Sequence, residues 1–185
     1  TSGLAIFAKF PEIQGQLIKQ GIQKEYLALV TGSLPARHGI IDSPIARKPG
    51  SIIEREVNPD GQPCKTEYWV ISPAFKPEKQ KPVAAPGTES GGLSSGSIPS
   101  TTWESELSLV RCRLYTGRTH QIRVHFASIG CPLWHDNLYG NIPGPPQRHG
   151  LHAYKVAFMH PWTHSLIEVT SILPDDLNSV SLRIS

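Results

Sequence analysis

The stretch LYTGRTHQIRVHFASIGCPLWHDNLYG, residues 114–140, decides how the rest of the chain is read. The residues leading into it alternate, with Leu107, Leu109, Arg111 and Arg113 on one parity and Val110, Cys112 and Leu114 on the other, which is the period of a strand. The strand ends at Thr116-Gly117. From Arg118 to Ile129 the spacing becomes helical, with Ile122, Phe126 and Ile129 on one face. Gly130 stops the helix and Pro132 prevents its continuation. The polar residues are as distinctive as the period. Arg118, Thr119, His120, Gln121, Arg123 and His125 crowd between Gly117 and Gly130, and no acid occurs between Glu106 and Asp136. Arg111, Arg113, Arg118 and Arg123 stand unopposed along the sequence. A one-sign cluster of this kind attracts phosphate, and it equally fits a solvated basic face; charge alone does not separate the two.

Working outward, residues 24–31, KEYLALVT, form the clearest strand, with Tyr26, Ala28 and Val30 facing one way and Leu27 and Leu29 the other. Residues 1–10 are a short apolar run that reads as a buried strand. Pro11 then opens a helix with an Ile13, Leu17, Ile18 stripe and a stop at Gly21. Residues 38–45 and 51–57 read as two short strands around an Arg47-Lys48-Pro49-Gly50 turn, and residues 64–72 as another. Residues 151–158 and 165–172 read as strands joined through Met159 to His164 as a hairpin. Pro174 starts a short terminal turn. Many consecutive strands against two helices predict an α+β fold with a largely antiparallel mixed sheet.

Residues 73–102 differ in kind. Five prolines, four glycines and many serines leave almost no large apolar side chains, so burial there cannot offset chain entropy. The segment reads as a disordered insertion joining two paired strands within a single domain spanning residues 1–185. At 185 residues, 38% apolar and net charge +3, the chain is long enough for one real core and only mildly basic. Cys64, Cys112 and Cys131 are odd in number and widely spaced. They support neither a disulfide framework nor a zinc knuckle, and point to a reducing compartment, cytoplasmic or organellar. No apolar run has membrane-spanning length. The chain opens on Thr1 rather than Met, the expectation being that it starts inside a longer protein or follows processing.

Several chemistries find no footing. His120 and His125 are five apart with no carboxylate nearby, and His149 and His152 have no Cys or acid beside them, so structural or solvent-facing histidines are preferred to metal ligands. No nucleophile elbow and no phosphate-binding glycine loop occurs. Nucleic acid remains. A helix starting at Arg118-Thr119 would add free N–H groups and a positive dipole to the arginines, and Tyr26 and Tyr139 could stack on bases or serve as core aromatics.

Residues 116–140 resemble the arginine-containing motif of the RluA-type pseudouridine synthases, roughly Thr-Gly-Arg-Thr-His-Gln-Ile/Leu-Arg-x-His, then Gly-x-Pro-Ile/Leu-x-Gly-Asp-x-x-Tyr-Gly. The match runs from Thr116 through His125 and resumes at Gly130, Pro132, Leu133, Asp136, Tyr139 and Gly140. TSGLAIFAK resembles the tail of the family's His-Arg-Leu-Asp-x-x-Thr-Ser-Gly-Leu motif. KEYLALVTG resembles its Lys-x-Tyr-x-Ala-x-Val-x-Gly strand, and LHAYKVAFMHPWT its closing hairpin.

The resemblance implies a pseudouridine synthase catalytic domain, isomerisation of uridine in ribosomal or transfer RNA, no cofactor, no metal, and a monomer acting on RNA away from membranes. It implies that Arg123 is the cation pairing with a catalytic Asp, that Tyr26 holds the detached uracil, and that Ile122 lines the pocket. Arg118, His120 and Gln121 would shape the loop and contact RNA. The family's Asp falls three residues before Thr1, and none of Asp42, Asp60, Asp136, Asp175 or Asp176 takes its place by motif. The expectation is therefore an enzyme when the upstream residues are present and an inactive fragment without them; the alternative is a non-catalytic RNA-binding homologue. A departure from the pattern is His135, where the family usually has Gly.

Overall fold

A computed structural model of the chain describes residues 1–75, 106–140, 148–175 and 177. The elements in chain order are β1 (Ser2–Gly3), α1 (Pro11–Gln20), β2 (Gln23–Thr31), β3 (His38–Asp42), β4 (Ile45–Arg47), β5 (Arg55–Val57), β6 (Lys65–Phe75), β7 (Leu107–Leu114), α2 (Gln121–Ser128), β8 (Leu151–Met159) and β9 (Leu166–Thr170). One sheet runs β1-β8-β2-β7-β6-β3, with β9 also on β8, and β4 and β5 form a separate ribbon. Only β1 pairs in parallel, so the described sheet is mixed and largely antiparallel, as the run of consecutive strands predicts.

The parity of the central strands places the core. Ala28 and Val30 of β2 join Val110 and Cys112 of β7 beneath Ile122 and Phe126 of α2, with Tyr26, Leu114 and Ile129 packed around them. The opposite parity, Leu27, Leu29, Leu107 and Leu109, packs with Leu177 on the other face. Ala28, Leu29, Val30, Val110 and Cys112 are wholly buried, so β2 and β7 are covered on both faces. At the end of α2, Gly130 takes φ +77°, a left-handed conformation that suits glycine, and Cys131 N–H donates to Phe126 O at 2.9 Å. That closes the helix with a Schellman-type reversal and aims the next segment back across the sheet, where Trp134 N–H meets Leu29 O at 2.8 Å.

Several expectations are corrected. Residues 1–10 are not a buried strand. Only Ser2–Gly3 pairs, and Phe7 is 89% exposed, because the following residues leave the sheet edge for α1. In α1 only Leu17 is buried, while Ile18 is 68% exposed. Pro44 divides the expected strand at residues 38–45, so Ile45 starts the β4–β5 ribbon instead. The helix starts at Gln121, not at Arg118. β6 continues through Phe75, three residues into the Pro/Gly/Ser-rich segment, and its pairing with β7 shows that the segment does connect two paired strands. Residues 76–102 of the expected insertion lie outside the described residues. The β8–β9 hairpin forms as expected, closed by His160 N–H to Ser165 O at 2.8 Å.

Candidate active site

Arg123 projects from α2 toward the loop that follows it. Its Nε and one terminal nitrogen donate to the two carboxylate oxygens of Asp136 at 2.8 and 2.7 Å, a fork-to-fork pair. The Asp136 side chain is fully buried and that of Arg123 is 13% exposed. Asp136 also accepts from the N–H groups of Leu138 and Tyr139, both at 3.1 Å, so one carboxylate ties the helix to the next turn. Burial alone would push its carboxyl up. The Arg123 hydrogen bonds and charge, with the N–H groups of Tyr139 and Leu138, more than offset that and hold it below the usual carboxylate range. The expected partner of Arg123 lay outside the chain; the structure supplies one inside it. With no exposure and its oxygens occupied, Asp136 positions the cation and cannot itself reach a substrate.

Tyr139 completes the mount. The Arg123 guanidinium lies 4.9 Å from the Tyr139 ring centroid. The phenol oxygen accepts from Arg55 N–H at 2.9 Å and sits 2.8 Å from His120 Nδ1. The ring that could have stacked on a base is thus engaged with Arg123, and its hydroxyl joins the β4–β5 ribbon to the loop before α2. His120 adopts φ 57° at the N-cap, and its pKa is lowered by burial and then by the charges of Arg123 and Arg55. His120 therefore faces inward as a brace.

Gln121 does the loop-shaping part of what the resemblance implies, and does it from a buried position. It is 2% exposed. Its Oε1 accepts from Thr116 Oγ1 and Arg118 N–H, both at 3.0 Å, and its Nε2 donates to Lys65 O and Thr66 Oγ1, both at 3.0 Å. Every side-chain valence is used within the protein, so Gln121 holds the loop rather than contacting RNA. It also takes the Arg118 N–H that was expected to be free for an anion. Ile122 is 4% exposed within the apolar cluster that includes Phe126, so it supports the site from the core. Of the expected RNA contacts, Arg118 alone is exposed. With Thr119 it borders a groove also lined by Arg47, Arg55 and Asp60.

Tyr26 stands on β2, half-buried against the same apolar cluster as Ile122, and burial pushes its phenol pKa up. It borders a cavity of about 430 Å³ between residues 4–8, α1, β2 and β8, which Arg123 does not line. Two of the four unopposed arginines, Arg113 and Arg123, meet a carboxylate in space. Arg113 pairs with Glu25 at 3.0 Å, and Arg111 lies 4.6 Å from the Trp69 ring centroid. His125, wholly buried, is bonded to Thr66 Oγ1 and Ser43 O, both at 2.9 Å, which makes it a structural histidine. His135 takes φ 57°, a left-handed conformation that accounts for glycine at this place in the family pattern.

At the start of β8, His149 and His152, expected as structural or solvent-facing histidines, bind the first residues of the chain. His149 Nε2 lies 3.1 Å from the Thr1 amino nitrogen, and Ser2 Oγ lies 2.8 Å from His152 Nδ1. Burial first, and then the Arg123 charge, offset in part by Asp136, lower the His149 pKa. The first residues of the chain therefore lie on the start of β8, against His149 and His152. The available signal was the Leu151-His152-Ala153 match, which marked the strand without indicating what its histidine binds.

A mixed, largely antiparallel sheet carrying an arginine helix, with a Thr-Ser-Gly segment paired to β8, defines a class. The RNA pseudouridylate synthase family matches residues 1–128, and the chain belongs to that family. Among its relatives, the uncharacterized RNA pseudouridine synthase YjbO of Bacillus subtilis is 33% identical over 97% of this chain and 54% of its own length. The ribosomal large subunit pseudouridine synthase D of Nitrosomonas europaea is 33% identical over 96% of this chain and 46% of its own. The chain spans about half the length of these curated relatives. The solved human RNA pseudouridylate synthase domain containing 1 shares the fold at TM-score 0.62, with 21% identity over 94% of this chain and 71% of that one.

Proposed function

We propose that the chain carries the site of an enzyme that isomerises uridine to pseudouridine in RNA. The observation that carries this reading is the buried Arg123–Asp136 pair on the helix that follows β7. Asp136 engages the Nε side of the guanidinium. The other edge of Arg123 is offered to a second carboxylate, the Asp expected three residues before Thr1 in a chain extended upstream. Held ionised by Arg123, that carboxylate works on the sugar and uracil.

The bond from N1 to the sugar breaks, the base turns, and C5 joins the sugar. C5 gives up its proton and N1 gains one, so atoms balance without a redox partner. Tyr26 is the aromatic assigned to hold the turning base, its ring half-buried against the apolar cluster that includes Ile122. Arg118 is the exposed cation for the backbone, and the target base must leave its stack to be reached. Ribosomal RNA is the favoured substrate, since several relatives are named ribosomal large subunit pseudouridine synthases, with transfer RNA the other. Without the upstream residues the chain binds RNA and does not turn over.

Uridine conversion tests this on the protein expressed with its coding sequence upstream of Thr1. Pseudouridine in the RNA is the expected product. An Asp at the expected place with no product would refute the reading. Any other residue there would favour the RNA-binding homologue.

A further inference from the structure

We propose that Ser2, held between Arg148 and His152, is the positioning residue that sets where the backbone enters the site at Thr1. Ser2 Oγ accepts from Arg148 Nη1 at 2.8 Å and lies 2.8 Å from His152 Nδ1. Arginine can only donate, so the serine oxygen accepts from Arg148, and the hydroxyl has both a proton and a second lone pair with which to meet Nδ1 of His152. His152 is 2% exposed, which fixes the far end of this relay inside the fold. Arg148 is anchored in turn, donating from the same nitrogen to Leu151 O at 3.2 Å.

Backbone contacts on the next two residues make the seat specific. Ser2 and Gly3 pair in parallel with His152 and Ala153, and Leu4 N–H donates to Ala153 O at 3.0 Å. Gly3 has φ +96°, and a Cβ there would stand 2.2 Å from Ala153 O, so the segment lies directly on the β8 backbone. The lock is thus a side-chain relay at Ser2 backed by a contact only glycine permits at Gly3. None of these groups reaches a reacting atom. They act through the chain that leads to the proposed carboxylate beside Arg123, and a misplacement of about 1 Å there costs on the order of a hundredfold in rate.

The inference rests on the proposed reading of the site, and its test separates the two. In the protein carrying the residues upstream of Thr1, Ser2→Ala and His152→Leu are expected to lower kcat by about 10- to 100-fold while KM for RNA stays within about twofold. His152→Asn, whose amide can replace Nδ1, is expected to recover most of that loss. Wild-type kcat in Ser2→Ala, or equal losses in His152→Leu and His152→Asn, would overturn the lock. A second readout does not need turnover. Hydrogen exchange at the Leu4 amide is expected to quicken by about tenfold in Ser2→Ala. Unchanged exchange overturns the lock, whereas faster exchange in a protein that makes no pseudouridine sustains the lock and refutes the reading of the site.

Discussion

Replacing Asp136 by Ala removes the carboxylate that four donors share: two nitrogens of Arg123 and the N–H groups of Leu138 and Tyr139. Arg123 is then left 13% exposed without its partner. Removing one side of a buried ion pair costs about 3–5 kcal/mol, most of it the penalty of stranding the other charge. For a chain of 185 residues this corresponds to a fall in Tm of about 6–20 °C. Asp136→Asn keeps the shape and one acceptor, so its cost lies between wild type and Asp136→Ala. The sign of the pH dependence follows from the depressed carboxyl. Its contribution is full above the unfolded value of 3.8 and is lost as pH falls through the lower folded value. Urea unfolding at neutral and acid pH measures both effects. The wild type and Asp136→Asn are expected to converge in stability as the acid limit is approached. A cost under about 1 kcal/mol at neutral pH, or a gap that widens on acidification, would refute a buried ionised pair.

Three further perturbations probe the mount and the scaffold. Arg123→Lys replaces a planar fork by a point charge. In the protein with its upstream residues, kcat is expected to fall at least about a hundredfold, with near-wild-type turnover as the contrary result. Gln121→Ala strands buried groups of Thr66, Thr116, Lys65 and Arg118. Thermal unfolding should show a loss of about 1–3 kcal/mol, whereas an RNA-contact role would weaken RNA binding and leave stability unchanged. Deleting residues 77–100 is expected to shift Tm by less than about 4 °C, since β6 and β7 already pair on either side; a larger fall would show that the segment packs on the fold.

The parts of this structure that sequence made legible are those encoded in the period of a single element. Alternation in β7 separates Val110 and Cys112 from Leu107 and Leu109, and the two sets do lie in clusters on opposite faces of the sheet. The helical spacing of Ile122 and Phe126 marks the face of α2 that packs on that sheet. Partners from other elements were not legible in the same way. Arg113 looks unopposed along the chain, yet Glu25, 88 residues away, is its cross-strand neighbour. Arg123 looks unpaired because Asp136 lies beyond a glycine reversal that brings it back to the helix. Gln121 looks like a surface contact because polarity alone does not reveal four bonds turned inward. Motif resemblance singled out Arg123 as the partner of an upstream carboxylate and did not foresee Asp136, the carboxylate that binds it within the chain. Periodicity also misread residues 4–10, where apolar composition suggested a strand and the chain instead leaves the sheet for α1.

The central claim is that this fold turns uridine over at Arg123. Isomerisation detaches the hydrogen at C5, so RNA tritiated at uridine C5 releases its label as the product forms. The protein expressed with its sequence upstream of Thr1 is expected to release tritium from ribosomal RNA in step with pseudouridine, and Arg123→Lys to release it at least about a hundredfold more slowly. Release at the same rate from both proteins, or none from a protein bearing an Asp three residues before Thr1, would contradict the account.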